Sequence, residues 1–211
     1  MDWIITSLSF ALATLLLSSR ILGWRARASG RKGERTVARK LRRLRRDGYV
    51  ILNDLLLPSK EGSTQIDHAA VGPGGIFVIE TKNHRGRVSG TRDDREWKER
   101  FPGRRVKYYN PLLQNYKHAK AIEEILTDGP KGCVHQIVVF PKGSRIRRVR
   151  ADEVLSFREL VPYIRRTGGE DLTAEQVKEY AGRISGMNIT SSKERRRHRR
   201  HAARKQCRNR K

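Results

Sequence analysis

The feature that most constrains this chain is a pair of short apolar segments joined by four residues that favour a tight turn. The segments are Thr64–Val71 and Ile76–Lys82, and the sequence between them is Gly-Pro-Gly-Gly. Both segments are typical of β-strands, so we predict an antiparallel hairpin closed by Val71 and Ile76. Pairing that runs back from this turn, residue by residue, places Asp67 opposite Glu80.

The predicted register concentrates charge on one face of the hairpin. Side chains alternate between faces along a strand, so Asp67, Glu80 and Lys82 share a side. Like charges directly opposed across two strands are destabilising. A divalent cation between the carboxylates would remove that cost, because hard oxygen ligands bind Mg²⁺ or Mn²⁺. We therefore predict a metal-dependent phosphodiesterase site.

A solvated sheet face is the simplest alternative, because an acid two positions before a lysine is common on exposed strands. The neighbours favour burial instead: Ile76 and Val78 share the face of Glu80, and we assign Ile66 and Ile79 to the opposite face. A hairpin that is apolar on both sides is typical of central strands. Charges on such a strand are costly unless they are paired or bound to a metal.

The charge of the chain indicates a polyanionic partner. The formal net charge is +25 over 211 residues, and Lys193–Lys211 alone holds eleven Lys and Arg against one Glu. Nucleic acid and the anionic face of a membrane both fit this composition. The two cysteines exclude a disulfide framework and a zinc-finger spacing. The length allows one domain with a proper core plus extensions.

The first residues predict a membrane anchor. Trp3–Ser19 carries no charge, Arg20 interrupts, and the apolar sequence continues to Trp24. This length is at the short end of the range for a transmembrane helix, and the positive charges that follow put the remainder in the cytoplasm. We expect a single-pass protein of the cell membrane, anchored through residues 3–24, with its catalytic domain on the cytoplasmic side. A buried amphipathic or interfacial helix is the alternative.

The remaining chain divides by composition. We predict an anchor over residues 1–24, a basic linker over 25–31, a folded domain over 32–140, a helical extension over 141–190 and a basic disordered tail over 191–211. Helices are expected at 32–47, 110–126, 156–166 and 173–185. Strands are expected at 49–57, 104–109 and 134–140, with a loop at 58–63 and irregular chain at 83–103. The tail is interpreted as binding nucleic acid, although contact with anionic lipid and a purely solubilising role are alternatives.

Two further positions bear on the site. Glu34 lies along the apolar stripe of the first helix, where it is either a favourable acid in the first turn or a third carboxylate for Asp67 and Glu80. Gln114 and His118 lie one turn apart on the flank of a later helix.

These residues together resemble a known family. The pattern is similar to the nuclease-related domain (NERD) family of the PD-(D/E)xK, restriction-endonuclease-like superfamily, over about residues 31–140. The stretches that carry the resemblance are Gly33-Glu34, Thr64–His68, Gly75–Asn83, Trp97, Asn110-Pro111, Gln114-Asn115 and His118. The resemblance implies an α/β fold, with a restriction-endonuclease-like core in which helices flank a central mixed β-sheet.

The resemblance also implies roles. Asp67 and Glu80 would hold Mg²⁺ or Mn²⁺, with the backbone carbonyl of Thr81 as a further ligand. Lys82 would be the catalytic lysine, and Glu34 and Gln114 would support the site. The expected function is a membrane-anchored nuclease that hydrolyses DNA or RNA. The alternatives are an inactive module that binds nucleic acid or anionic lipid, and a structural membrane protein.

Overall fold

A computed structural model describes residues 28–129, 132–141, 145–167 and 171–208. The expected membrane segment lies outside these residues. Within them, no helix has the length and apolar character needed to cross a bilayer. The helices are α1 (residues 28–41), a 3₁₀ helix (Arg42–Asp47), α2 (Pro111–Ile125), α3 (Leu160–Thr167), α4 (Ala174–Gly186) and α5 (Ser192–Arg208). The strands are β1 (Val50–Ser59), β2 (Gly62–Gly72), β3 (Gly75–Thr81), β4 (Arg87–Thr91), β5 (Glu96–Phe101), β6 (Arg104–Tyr109), β7 (Val134–Phe140), β8 (Arg145–Arg150) and β9 (Val154–Ser156).

The main sheet is mixed and covered by helices on both faces. In the described chain it has five strands in the order β1-β2-β3-β7-β9. The first three pair antiparallel, and β3, β7 and β9 pair parallel. Apolar side chains of α2 and α4 pack on one face, and those of α1, the 3₁₀ helix and α3 pack on the other. The expected α/β fold with a central mixed sheet flanked by helices is confirmed.

The predicted hairpin has the predicted register. Val71 pairs with Ile76, and the ladder continues to His68 opposite Ile79. The turn needs glycine at Gly75, whose φ is 103°, a conformation that residues with a side chain rarely adopt. A Cβ there would also lie 2.5 Å from the Cys133 carbonyl oxygen.

Two details of this region differ from prediction. The expected loop at 58–63 is shorter, because Pro58 already pairs with Ser63 across β1 and β2. Ile66 packs in the same cluster as Ala69 and Val78, on the opposite face from the one assigned. Strict alternation of side chains between the two faces of the sheet fails here because the backbone of β1 is left-handed at Asp54, whose φ is 52°. Across that point, the residues that point to a given face shift by one position.

Residues 83–103 are not irregular. Strands β4 and β5 join β6 and β8 in a second sheet, with the order β6-β5-β4-β8 in the described chain. Trp97 on β5 is fully buried, and its Nε1 donates to the Thr91 carbonyl oxygen at 2.8 Å. The ring lies against Gly90, where a Cβ would be only 2.3 Å from Trp97 Cδ1. Charged residues on the exposed positions of these strands hid the alternation.

The C-terminal region also differs from expectation. Residues 141–190 contribute β8 and β9 to the two sheets as well as α3 and α4 to the cores, so they are not a purely helical extension. The capping box of Thr173 and Gln176 that starts α4 is present as predicted. The prediction that the tail is disordered is wrong over Ser192–Arg208, which forms helix α5. Arg, Lys and Ala are strong helix formers, and the helix also packs against β1.

Candidate active site

Of the two predicted carboxylates, Asp67 lies in the middle of β2 and Glu80 lies near the C-terminal end of the neighbouring strand β3. Glu80 on β3 is buried, with 4 % of its surface exposed, and Asp67 on β2 is partly buried. Asp67 Oδ2 accepts a hydrogen bond from the backbone N–H of Thr81 at 2.8 Å. This bond joins the two strands just beyond the last ladder pair and fixes the Asp67 carboxylate beside the backbone that carries Glu80.

Lys82 and Gln114 both contact one oxygen of Glu80. Lys82 Nζ lies 2.7 Å from Glu80 Oε1, and Gln114 Nε2 donates to the same oxygen at 2.9 Å. Lys82 Nζ also donates to Gln114 Oε1 at 2.8 Å. The three side chains therefore form a closed triangle, and α2, which carries Gln114, fixes the position of the lysine.

His118 is a site residue for which the sequence suggested no role. Its Nε2 lies 3.3 Å from Glu80 Oε2, and its Nδ1 is 2.7 Å from Thr64 Oγ1. Glu80 Oε2 is buried and has no hydrogen-bond partner of good geometry among the described residues. The spacing of one helical turn between Gln114 and His118 was the signal that placed both side chains at the same carboxylate.

The carboxylates differ in pKa. Burial, and then the charge of Glu80, raise the pKa of Asp67 well above its usual value. Burial alone would also raise the pKa of Glu80, but the Lys82 ammonium and the His118 ring outweigh it and lower the pKa to about 2. Burial and a neighbouring like charge therefore raise one pKa, and neighbouring donors and a cation lower the other.

Glu34 reaches the same region from α1. A Cβ on Gly33 would lie 2.9 Å from Asn83 Cβ, so the glycine lets the helix approach the chain just after Lys82. Asn83 Nδ2 donates to the Ser29 carbonyl oxygen at 2.6 Å and secures that approach. The pKa of Glu34 is raised by burial and then by the charges of Asp54 and Glu80.

Asp54 is a further acid of this region that sequence reasoning missed. Its charge acts on Glu34 and on His68, whose pKa burial lowers to about 4. The available signal was an acid inside the apolar run of β1. In the part of the chain that the structure describes, no group of three or more His, Cys, Asp or Glu side chains is arranged to hold a metal.

Glu99 on β5 holds the chain that follows Lys82. Its Oε1 accepts from the backbone N–H of Arg85 at 2.9 Å and of Gly86 at 2.7 Å. Its Oε2 lies 2.6 Å from His84 Nδ1, and the His84 ring stacks on Tyr108. Burial would raise the pKa of Glu99, but the hydrogen bonds from His84 and Gly86 outweigh it and lower the pKa.

Comparison with known proteins identifies a domain family. The model of the nuclease-related domain (NERD) matches residues 29–141. An uncharacterized protein of Bacillus anthracis is 32% identical over 165 residues, which cover 76% of this chain and 77% of that protein. The crystal structure of a protein of unknown function matches 71% of this chain and 97% of its own, at 12% identity and a TM-score of 0.33. By its sequence, the chain belongs to the nuclease-related domain family of the restriction-endonuclease-like superfamily.

Proposed function

We propose that this protein is a metal-dependent nuclease that hydrolyses phosphodiester bonds of DNA or RNA at Asp67, Glu80 and Lys82. The observation that carries the proposal is the buried Glu80 carboxylate, which has Lys82 Nζ 2.7 Å from one oxygen and no hydrogen bond on the other among the described residues. One oxygen of Glu80 therefore contacts the proposed catalytic ammonium, and the other oxygen is available to bind a metal.

The donor set fits a hard divalent cation. Asp67 and Glu80 would hold Mg²⁺ or Mn²⁺, with the backbone carbonyl of Thr81 as a further ligand. Mg²⁺ is usually bound by one or two carboxylates and keeps several waters, so a site of two carboxylates does not need a third acidic ligand. A bound cation would supply a water of lowered pKa and would neutralise charge on the phosphoryl oxygens.

We propose that Lys82 stabilises the transition state. An ammonium in a site of low solvent content stabilises developing negative charge on phosphorus oxygens more strongly than it would in water. Gln114 holds that ammonium by accepting its hydrogen bond at 2.8 Å. Thr64 holds the His118 ring, which lies 3.3 Å from the other oxygen of Glu80, and Glu34 adds negative charge at the edge of the site.

The net charge of the chain indicates the chemical class of its substrate. The formal net charge of +25 favours a polyanion, and contacts to phosphates position a nucleic acid without reading its sequence. The basic residues that we assign to phosphates lie after β3 and on β4 and β6, and they are Arg85, Arg87, Arg104, Arg105 and Lys107. We therefore propose weakly sequence-specific cleavage.

We further propose that residues 3–24 anchor the protein in the cell membrane, with the catalytic domain in the cytoplasm. The uncharged run of Trp3–Ser19 and the cluster of Arg and Lys that follows it are the basis of this proposal. Fractionation of cells that express the full chain, with and without residues 3–24, tests it. Recovery of both forms in the soluble fraction would overturn the anchor.

The nuclease is tested by incubating the purified chain with labelled single- and double-stranded DNA and RNA. We expect cleavage with Mg²⁺ or Mn²⁺ that stops in EDTA, and loss of at least about a hundredfold in rate for Lys82→Ala. Asp67→Asn, which keeps the shape of the side chain, should abolish the metal-dependent cleavage, because a neutral amide binds Mg²⁺ far more weakly than a carboxylate. Cleavage that is unchanged in both variants would come from a contaminant and would refute the assignment.

A second candidate is a nuclease fold that binds nucleic acid without cleaving it. Two observations favour it: Lys82 and Gln114 already occupy Glu80 Oε1, and no three-ligand group lies in the described residues. Salt-sensitive binding with no cleavage under any divalent metal would select this candidate.

A further inference from the structure

Helix α5 is a strongly basic element that lies outside the matched family domain. Ser192–Arg208 contains nine Lys and Arg and one Glu. Two of its side chains, Arg195 and His198, are partly buried, and they lie one turn apart on one side of the helix. The basic side chains of Lys193, Arg196, Arg197, Arg199, Arg200 and Arg204 are exposed.

Arg195 docks the helix on β1. Its Nη1 lies 2.9 Å from Asp54 Oδ2, and its Nη2 donates to the Asp54 carbonyl oxygen at 2.7 Å. Its Nε donates to the Ile189 carbonyl oxygen at 3.0 Å. All three nitrogens of the guanidinium are therefore occupied by protein acceptors, at the point where β1 bends.

His198 connects the helix to the catalytic carboxylate. His198 Nδ1 is 2.9 Å from Ser63 Oγ. The next residue on β2, Thr64, contacts His118, which in turn contacts Glu80. The helix therefore lies beside the active site, a few side chains away from Glu80.

The connection before α5 fixes where the helix starts. The Leu56 backbone N–H donates to Asn188 Oδ1 at 2.9 Å, and the Ile189 N–H donates to the Leu56 carbonyl oxygen at 2.8 Å. Because β1 is an edge strand of the described sheet, these bonds also cover part of an open edge. The position of α5 is therefore set by backbone bonds as well as by Arg195.

The outward side of α5 has charges that destabilise the helix on its own. Arg196, Arg200 and Arg204 are spaced four residues apart, as are Lys193 and Arg197. Like charges at this spacing cost roughly 0.2–0.5 kcal/mol per pair. None of these five side chains has an acidic partner in the described part of the chain. A bound polyanion would remove this repulsion.

We propose that α5 binds the phosphate backbone of the nucleic acid that is cleaved at the Asp67 and Glu80 site. Arg195 and His198 hold the helix in place, and the exposed arginines contact phosphates. This inference rests on the proposed nuclease function and names the element that presents the substrate to it.

A membrane surface is a poorer occupant for this helix. Helices that lie on membranes bury an apolar face with Trp, Phe or Leu. The described side chains of α5 include only Ala202 and Ala203 as apolar residues, and both are exposed. The composition of α5 therefore favours a partner that is bound through charge alone.

The test compares two triple variants of the full chain that remove the same charge. Arg196→Gln, Arg200→Gln and Arg204→Gln are combined in one. The control combines Arg42→Gln, Arg43→Gln and Arg46→Gln, which change exposed arginines of the 3₁₀ helix. That helix lies at the far end of the sheet, beside the β2–β3 turn, since Gly48 adjoins Pro73.

Binding of labelled DNA and RNA is measured by fluorescence anisotropy in EDTA at several salt concentrations. We expect the α5 variant to bind about tenfold or more weakly, and the slope of log K against log salt to fall by about 2–3, or 0.7–0.9 for each lost phosphate contact. The control variant should change Kd by less than about threefold. Equal losses of affinity in both variants would mean that binding depends only on the total positive charge of the protein, and this would overturn the proposal.

Docking is tested separately with Arg195→Lys. This variant keeps the charge but loses the fork that holds Asp54 on two atoms. We expect weaker binding of nucleic acid and faster amide hydrogen exchange in α5. Binding equal to that of the wild type would show that α5 acts as an unanchored tail, against the proposal.

Three further outcomes separate this inference from its alternatives. Vesicles that contain phosphatidylserine serve as a second ligand, and loss of vesicle binding alone in the α5 variant would assign the helix to lipid and overturn the proposal. If the wild type binds nucleic acid through α5 and yet never cleaves with Mg²⁺ or Mn²⁺, the assignment of α5 to nucleic acid stands and the nuclease function fails. If the α5 variant cleaves nucleic acid as fast as the wild type, the nuclease function stands and the assignment of α5 to the substrate fails.

Discussion

Two carboxylates that the hairpin places side by side have unlike surroundings. Glu80 has an ammonium on one oxygen and an imidazole near the other, whereas Asp67 has one backbone N–H. Their pKa values consequently move in opposite directions. Pairs of titratable groups whose environments separate their pKa values are typical of sites where each group has its own role.

Gln114 is the residue whose role is easiest to separate from that of Glu80 and Lys82. Gln114→Ala removes the donor to Glu80 Oε1 and the acceptor for Lys82 Nζ without changing any charge. Loss of a residue that orients site groups typically costs about 10–100-fold in metal affinity or activity. We expect a loss of that size in kcat, measured with a labelled nucleic acid at saturating Mg²⁺.

The matched control is Lys120→Ala, because Lys120 lies on the exposed side of the same helix and pairs with Glu123. Its kcat should stay within about twofold of wild type, as is usual for an isolated exposed ion pair. An equal loss in both variants would show that α2 tolerates no change and that Gln114 has no specific role.

Glu99 provides a pH-dependent prediction for stability. Folding lowers the pKa of Glu99 below its ordinary value of 4.5. The stabilisation that it gives is therefore present above pH 4.5 and is lost as the pH falls through the lower, folded pKa. Glu99→Gln should reduce the free energy of unfolding by about 1–3 kcal/mol at pH 7, since hydrogen bonds to a charged group are lost.

Urea unfolding of both proteins at pH 7 and near pH 3 measures this effect. The difference between wild type and Glu99→Gln should be smaller at the lower pH, because protonation of Glu99 removes the charge that the hydrogen bonds stabilise. A difference that grows on acidification would contradict the assigned direction of the pKa shift.

The acids of the site were predictable to different extents. Asp67 and Glu80 follow from the turn and from strand pairing, because register is fixed by local geometry. Asp54 was missed because its place depends on a left-handed backbone at φ 52°, a conformation for which Asp is favoured but which no pattern announces. The sequence places His118 one turn from Gln114, but its contact with Glu80 depends on how α2 crosses β3.

At the scale of elements, the position of α1 decides whether Glu34 reaches the site. The helix approaches Asn83 at Gly33, where a Cβ would lie 2.9 Å from Asn83 Cβ. Gly33→Ala should therefore move the helix and destabilise the protein by about 1–3 kcal/mol, as overpacking does. Thermal unfolding measures this loss.

Gly30 on the same helix is the matched control. A Cβ there would meet only Glu34 Oε1, at 3.8 Å, so Gly30→Ala should stabilise the helix by up to about 1 kcal/mol. Opposite signs for the two substitutions would support the close contact at Gly33. Stabilisation by both would show that α1 does not touch Asn83.

Strands and helices with strong apolar periodicity were predicted well, and charged ones were not. The sheet of β4, β5, β6 and β8 was mostly missed because its exposed positions carry Arg, Lys and Glu, and because one apolar ring, Trp97, supplies much of its core. Helix α5 was missed for a related reason. Its basic composition is typical of disorder, and the contacts that order it, at Asp54 and Ser63, come from β1 and β2.

At the scale of the whole molecule, residues after the matched family domain complete the core. Leu155, Leu160 and Ile164 pack with Phe77 and Ile79 on one face of the main sheet. Side chains of α4 pack with α2 on the other face. The hydrophobic layers on both sides of β3 therefore include chain that the sequence had assigned to an appended extension.

This arrangement predicts cooperative unfolding of the described domain. Ile164 is fully buried, so Ile164→Ala should lower the free energy of unfolding by about 2–5 kcal/mol. Met187→Ala, at a side chain that is 46% exposed, should change it by less than about 0.5 kcal/mol. Urea unfolding followed by tryptophan fluorescence measures both, in a background in which Trp3 and Trp24 are replaced by Phe, so that Trp97 of the second sheet is the reporter. If residues 141–190 were a separate unit, Ile164→Ala would leave the Trp97 transition in place. If they complete the core, that transition shifts to lower urea with an unchanged slope.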